Sequence, residues 1–318
     1  MGPSVEGLRV LVTGGAGFIG SHTVDALIGK GATVAVVDDL STGARSNVNP
    51  RAVLYEMNVA DSRIESLIER IRPDVIYHFA AYVLVPKSVE DPLLDMDAVV
   101  GSIRILRRAK DIGVGKIIFA SSGFIYGNNP QLPVREDAPI DPVSPYVVGK
   151  NAIELYLRFF KQAYNLSYVA LRYAAVYGPR QTTGAMADYI RKLRSGKQAE
   201  MWGDGNKTRD YVYIDDAVHA NLLALGVPDD HPAPVFNIGT GRETTLNELY
   251  GKIAGMLGVV PRPIYYPDRP GEQMRYCLDS SRARTELGWE PRWTLEEGLR
   301  ATVHARVDGS DRCHESQR

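Results

Sequence analysis

Cysteine is almost missing from the chain: Cys277 and Cys313 are the only two in 318 residues. Two thiols so far apart make neither a disulfide framework nor a metal-ligand cluster, so no resident metal is expected. An excess of charge of one sign is missing as well. Lys and Arg number 37 against 38 Asp and Glu, a formal net charge of −1. Such a surface has no broad field to attract nucleic acid, although a local basic pocket for a phosphorylated small molecule is allowed. No apolar run is long enough to cross a bilayer. The segment Met1–Gly7 lacks the apolar stretch of an export signal. These absences argue against a secreted disulfide scaffold, a polynucleotide binder and a membrane protein. They point to a reducing, cytoplasmic compartment.

What is present is a pattern of alternating periodicities. Leu8–Val12, Thr33–Val37, Val53–Glu56, Val75–Phe79, Lys116–Ala120 and Ser167–Arg172 read as strands, several of them near-continuous apolar runs. Between them Ile19–Lys30, Arg63–Arg70, Ser88–Asp111 and Tyr146–Tyr164 carry helical spacing. Strands alternating with helices imply βαβ units, hence an α/β fold with a doubly wound parallel sheet of the Rossmann type. After Gly178 the rhythm loosens into short segments: Ala185–Ser195, Ile214–Leu225, Leu246–Leu257 and Leu295–Val307. The expectation is a nucleotide-binding domain over 7–178 with returning segments such as 214–240, where Val235–Ile238 rejoins it. A smaller mixed α/β region would cover most of 179–307, and 308–318 would be a disordered polar tail.

The first strand runs into Thr13-Gly14-Gly15-Ala16-Gly17-Phe18-Ile19-Gly20, with Gly14, Gly17 and Gly20 spaced GxxGxxG. A side chain at this turn would hold a pyrophosphate away from the backbone N–H groups of the helix N-terminus, and the third glycine lets helix and strand pack closely. The second strand ends in Asp38-Asp39, near the offset at which an acid meets the adenosine ribose. Asp38 can accept from both ribose hydroxyls and would repel a 2′-phosphate, which favours NAD over NADP. Asp39 reads as its solvated neighbour.

Tyr146 and Lys150 lie four apart at the start of a helical stretch and so share a face. A free phenol titrates near ~10, too high for a base at neutral pH. A nearby ammonium and a positive nicotinamide ring would both favour the phenolate. Such a pair suits removal of a proton from a sugar hydroxyl while hydride leaves the same carbon.

A wider pattern runs from Val10 to about Val303. It comprises the glycine turn, Asp38-Asp39-Leu40-Ser41-Thr42-Gly43, His78-Phe79-Ala80-Ala81, Ser121-Ser122 ahead of Tyr126-Gly127, and Ser144-Pro145-Tyr146 with Lys150. It continues through Tyr177-Gly178-Pro179-Arg180-Gln181, Gly203-Asp204-Gly205, Arg209 to Asp216, Asn237-Ile238-Gly239 and Arg269-Pro270-Gly271-Glu272. In this the chain resembles the extended short-chain dehydrogenase/reductase family and, within it, the nucleotide-sugar epimerases. The resemblance implies Tyr146 as base, Lys150 as the residue that binds the nicotinamide ribose and tunes the tyrosine, and Ser122 as the hydroxyl on the reacting oxygen. It implies cofactor contacts from Gly14, Gly17, Phe18, Ile19, Gly20, Asp38, Asp39, Ser41, Thr42, Gly43, Asn58, Val59, Phe79, Ala80, Ala81, Ala120 and Tyr173. It places the substrate against Val85, Ser121, Ser122, Ala175, Arg180, Arg209, Arg269, Glu272 and Tyr276, with Arg209 and Arg269 on the diphosphate, which a guanidinium fork suits.

The resemblance also bears on the reaction. Dehydratases of the family carry an Asp-Glu pair before the position of Tyr126, and decarboxylases a glutamate. This chain has Gly123-Phe124. Reductases favour NADPH, and Asp38 stands against that. The expectation is therefore an isomerase that inverts C4 of a UDP-hexose through a transient 4-keto sugar. Tyr276 in the sugar pocket would exclude an N-acetyl group and favour UDP-glucose and UDP-galactose. Uronate epimerases carry an arginine where Thr182-Thr183 stand, so UDP-glucuronate would need Ser121, Ser122 or Arg191 as partner. UDP-N-acetylhexosamine stays open too, as does a non-catalytic NAD-binding scaffold. Ala175 and Ala98 replace asparagines common in the family, and Asn58 stands where an aspartate often meets the adenine. Relatives dimerise through two helices, here Ser88–Asp111 and Tyr146–Tyr164, with Leu155, Phe159 and Phe160 facing either a partner or the core.

Overall fold

The computed structural model describes residues 3–81, 85–260, 262–268 and 273–305. The proposed tail, 308–318, lies outside these. Elements follow in chain order: β1 Arg9–Thr13, α1 Phe18–Gly29, β2 Thr33–Asp38, β3 Val53–Glu56, α2 Arg63–Ile71, β4 Val75–His78, α3 Val85–Glu90, α4 Met96–Ile112, β5 Lys116–Ser122, α5 Pro145–Tyr164 and β6 Tyr168–Tyr173. Then come β7 Ala175–Tyr177, α6 Ala185–Arg194, β8 Glu200–Trp202, β9 Thr208–Arg209, β10 Tyr211–Tyr213, α7 Ile214–Ala224, β11 Val235–Ile238, β12 Thr244–Thr245, α8 Leu246–Met256, β13 Ile264–Tyr266 and α9 Leu295–Ala305. No helix among the described residues is long and apolar enough to cross a membrane.

Seven strands form one parallel sheet in the order β11-β6-β5-β4-β1-β2-β3. The order reverses between β1 and β4, and a doubly wound sheet opens its ligand crevice at the carboxyl ends beside such a point. The apolar runs have the expected cause. Side chains alternate across a strand, and here both faces are covered. Val10, Val12, Ile118 and Ala120 enter one core with Val24 and Leu27 of α1 and Ala217 and Ala220 of α7. Leu11, Ile117 and Phe119 enter the other with Ile64 and Leu67 of α2, Ile105 of α4 and Ile153 and Leu157 of α5. A third cluster joins Tyr189, Ile190, Leu249, Ile253 and Leu299 in the later part of the chain. Val235–Ile238 does return to the sheet, as β11 beside β6. So do Tyr276, Leu278, Ala283 and Trp289, which pack into the first core.

The expected helix Ser88–Asp111 is two. Asp91 precedes Pro92, and the residue before a proline is pushed out of the helical region. Asp91 adopts φ −136° and its side chain accepts from the Leu93 amide. A tight turn, Pro92–Asp95, then feeds α4.

Beneath the switch point a buried imidazole ties three elements. His78 Nδ1 lies 2.7 Å from Thr13 Oγ1 on β1 and His78 Nε2 lies 2.7 Å from Ser102 Oγ on α4. The Ser102 hydroxyl donates to the Ala98 carbonyl at 2.6 Å, so the Nε2 proton is the one it receives. Burial holds His78 down at about 3 against its ordinary 6.5, with the Lys150 charge a further cause. An unfolded chain takes up this proton below 6.5 whereas the native state refuses it until about 3. The stability that neutral His78 contributes is thus complete above 6.5 and drains away as pH falls toward 3. We expect the melting temperature to fall between about pH 6.5 and 4, and the His78→Gln variant to show a shallower fall. Equal slopes for the two proteins would contradict this role.

Candidate active site

The glycine turn between β1 and α1 is shaped by contacts a side chain would prevent. Gly14 sits at φ +69°, and a Cβ there would come within 2.8 Å of the Ala80 amide. A Cβ on Gly20 would stand 2.1 Å from the Gly14 carbonyl, the helix-to-strand approach expected of a third glycine. At Gly17 only the Gly14 carbonyl is near, at 3.2 Å, and the rest is open. The turn borders a cavity of about 660 Å³ that runs from Asp38 past the glycines to Tyr146, Lys150 and Ser122. These residues fit a dinucleotide: a cradle free of side chains at a helix N-terminus, and a carboxylate at the far end.

Asp38 is buried and braces the turn, accepting from the Ala16 amide and from the Leu40 amide, each at 2.9 Å. Burial raises its carboxyl above the usual range, and these two bonds oppose the rise. Asp39 serves the neighbouring loop, accepting from the Ser41 amide at 3.0 Å and from Asn58 Nδ2 at 3.0 Å. We expect NAD to bind this protein much more tightly than NADP, and Asp38→Ala to narrow the gap, as read by calorimetric titration of both dinucleotides. Equal affinity of the native protein for the two would refute the assignment. The same variant strands two amide donors, at about 1–3 kcal/mol each where they are buried.

Of the expected cofactor contacts, Phe18, Ile19, Ser41, Thr42, Asn58, Val59, Phe79, Ala80, Ala81, Ala120 and Tyr173 all line this cavity. Gly43 instead backs the turn, where a Cβ would meet the Ala16 carbonyl carbon at 2.8 Å. Ala98 lines the cavity as well, and so do Gln181, Thr182 and Thr183, which sequence patterns had left without a contact role.

The chemical end is built by β5 and α5. Lys150 is buried and its ammonium donates to the Ala120 carbonyl at 2.6 Å, 5.9 Å from the centre of the Tyr146 ring. Ser122 lies close enough to the Tyr146 hydroxyl to favour its ionised form. Ser122 Oγ also accepts from the Phe124 amide at 3.2 Å. The expected lowering of the phenol does not occur among these protein groups. Burial pushes Tyr146 up to about 12, with Ser122 pulling back and Asp95 adding to the rise. Burial also pulls Lys150 down to about 7, against the charges of Asp95 and Glu154. Low polarity around the pair dominates both shifts.

The residues expected on the substrate are placed differently from one another. Ser121 lines the cavity, and its hydroxyl donates to Glu154 on α5. Tyr276 does not line the cavity: its hydroxyl donates to the Tyr173 carbonyl at 2.9 Å and its ring packs on Phe124. It is drawn in by Gly123, since a Cβ there would fall 2.1 Å from the Tyr276 hydroxyl. Arg191 pairs with Asp188 on the exposed side of α6. Ala175 and Arg180 do line the cavity, and Arg180 also pairs with Asp25 of α1 at 2.8 Å. Arg209 stacks over Phe124 and donates to the Thr208 and Gln273 carbonyls. Arg269, Glu272 and the Val85 side chain lie outside the described residues.

One feature escaped the sequence patterns altogether. Glu154 accepts from Arg172 Nη2 at 2.7 Å and Nε at 3.1 Å, and Arg172 Nη1 donates to the Tyr126 hydroxyl at 2.6 Å and the Glu136 carbonyl at 3.2 Å. Tyr126 in turn donates to Asn237 of β11 at 2.8 Å. The ion pair is buried directly behind Ser121-Ser122. The available signal was Glu154 falling four residues beyond Lys150, hence on the same helix face.

Comparison with known proteins supports the same reading. The model of the NAD dependent epimerase/dehydratase family matches residues 10–239. UDP-glucose 4-epimerase of Mycolicibacterium smegmatis is 40% identical over 307 residues, covering 93% of this chain and 97% of that protein. Among solved structures, UDP-glucose 4-epimerase of Thermotoga maritima with UDP-glucose is 42% identical with a TM-score of 0.91, over 94% of this chain and 99% of that one. UDP-glucose 4-epimerase of Thermus thermophilus in complex with NAD is 38% identical with a TM-score of 0.90, over 95% and 100%.

Proposed function

Because the chain belongs to the NAD dependent epimerase/dehydratase family, we propose that it inverts C4 of a UDP-hexose, interconverting UDP-glucose and UDP-galactose. The observation that carries this is the meeting of Tyr146, Lys150 and Ser122 on the cavity that begins at the glycine turn. NAD, when bound, supplies reversible hydride exchange at the sugar carbon. Tyr146 takes the proton of the 4-hydroxyl as C4 is oxidised and returns it after the 4-keto sugar has turned about its diphosphate. Ser122, its acceptor side engaged by the Phe124 amide, directs its own proton at the reacting oxygen. Lys150, held on the Ala120 carbonyl, favours the phenolate form in which Tyr146 accepts that proton.

The same geometry speaks against elimination and decarboxylation. Those readings require an acid at position 123 or 124, and the Tyr276 hydroxyl fills the place a side chain at 123 would take. Arg191, the guanidinium considered for a uronate, pairs with Asp188 on the exposed side of α6, which supports a neutral hexose. Tyr276, lying behind Phe124, does not choose between a hexose and its N-acetyl form.

The test is purified protein with a panel of UDP-glucose, UDP-galactose, UDP-glucuronate and UDP-N-acetylglucosamine, products identified by NMR. UDP-glucose should yield UDP-galactose with no net change in nicotinamide absorbance. Stoichiometric NADH release, or no conversion of any sugar, would sink the proposal. A reducing, cytoplasmic setting and a homodimer belong to the same reading. Of the three candidate contacts on α5, Phe160 is buried, whereas Leu155 and Phe159 are exposed, as are Met96 and Val100 of α4.

A further inference from the structure

The catalytic helix does not cap itself. Ser144 is its N-cap residue yet its side chain makes no capping bond, and Pro145 follows. The Tyr146 amide, one of the first-turn donors that a helix cannot satisfy internally, instead donates to Ser88 Oγ of α3 at 3.3 Å. Ser88 is buried beside Asp95, whose carboxyl burial raises while the Lys150 charge and the Ser88 hydroxyl oppose the rise. Asp95 ends the turn that follows Pro92 and is only 5% exposed. Its Oδ2 is buried with no hydrogen-bond partner among the described residues. It lies against α5: a Cβ built on Gly149 would sit 3.6 Å from the Asp95 Cβ.

A buried carboxylate with one bare oxygen is costly unless its charge is used. The charge here faces the reacting pair. Asp95 is the foremost carboxylate sustaining the Lys150 ammonium, ahead of Glu154, and it also opposes ionisation of Tyr146. Among the described residues His78 of β4 also feels this ammonium, and it is neutral. A negative group at a helix N-terminus is favoured by the helix dipole as well.

We propose that Asp95 is a positioning residue: through Ser88 it seats the first turn of α5, and its buried charge acts on the Tyr146–Lys150 pair. The role in turnover rests on the epimerase reading, while the effect on the pair does not. Asp95→Asn keeps the shape and removes the charge, and Asp95→Ser is a second neutral variant should the first prove unstable. Lysine-selective carbon NMR, with the Lys150 resonance assigned by Lys150→Arg, reads the ammonium without turnover. Its midpoint is expected to move to lower pH by about half a unit or more in the neutral variants. In the kcat profile both limbs should move the same way, because one carboxylate holds up both the phenol and the ammonium. Ser88→Ala, which removes the cap and not the charge, should lower the rate and the melting temperature with the limbs in place. An unchanged Lys150 midpoint in both neutral variants overturns the proposal even if the rate falls. A Lys150 midpoint that moves as expected, in a protein whose native form converts no UDP-sugar, sinks the epimerase reading and leaves the Asp95 assignment standing.

Discussion

Replacing Tyr146 by Phe should lower kcat for UDP-hexose inversion by about 10²–10⁴, the contribution typical of one positioned acid–base group, with NAD affinity nearly unchanged. The ring keeps its place beside Lys150, since only an oxygen is lost. The cradle for the dinucleotide lies elsewhere, at the glycine turn and Asp38. Ser122 keeps its bond from the Phe124 amide and Lys150 its bond to Ala120. What disappears is the group proposed to carry the 4-hydroxyl proton both ways. Single-turnover kinetics, together with calorimetric NAD binding, separate the two quantities. A variant that turns over at close to the native rate would show that another residue takes the proton, and a non-catalytic scaffold would show no rate to lose.

The second large effect concerns stability. Glu154→Ala should destabilise the protein by about 3–5 kcal/mol, the usual result of leaving one member of a buried ion pair alone. For a chain of this size that corresponds to a melting temperature lower by roughly 6–15 °C. Arg172 would keep Tyr126 and the Glu136 carbonyl as partners, but neither neutralises a guanidinium enclosed between β6 and α5. The Ser121 hydroxyl would lose its acceptor at the same stroke. A double variant, Glu154→Leu with Arg172→Met, should recover much of the loss, because apolar packing often replaces a buried pair at little cost. A thermal midpoint within about 1 °C of native for Glu154→Ala would show that the pair contributes little.

Much of the architecture could be read from the order of residues. The strands β5 and β6 appear where near-continuous apolar runs stood, because both faces of this sheet are covered and period 2 loses its polar half. β11 was legible for the same reason. The break at Pro92 was under-read: the helical spacing of apolar residues continues across it, and only the local effect of proline on Asp91 interrupts the backbone. In the candidate site, Gly14, Gly17, Gly20, Asp38, Tyr146, Lys150 and Ser122 could be proposed from local motifs, and the structure brings them to one cavity. The Glu154–Arg172 pair and the Ser88–Asp95 cap could not be so proposed. Each joins side chains from separate elements, and no local spacing encodes the meeting. Tyr276 misled for a related reason. Its neighbourhood depends on the missing side chain at Gly123, far away in the chain.

The return of β11 to the sheet edge, followed by Leu278 and Trp289 in the first core, makes the molecule indivisible by genetic truncation. A fragment ending near Gly178 would expose β6 as a raw edge, with unpaired amides inviting self-association, and would lack the residues that seal its hydrophobic floor. Libraries that recombine parental genes at that boundary should therefore yield insoluble chimaeras, whereas crossovers in surface loops that leave β6 and β11 from one parent should not.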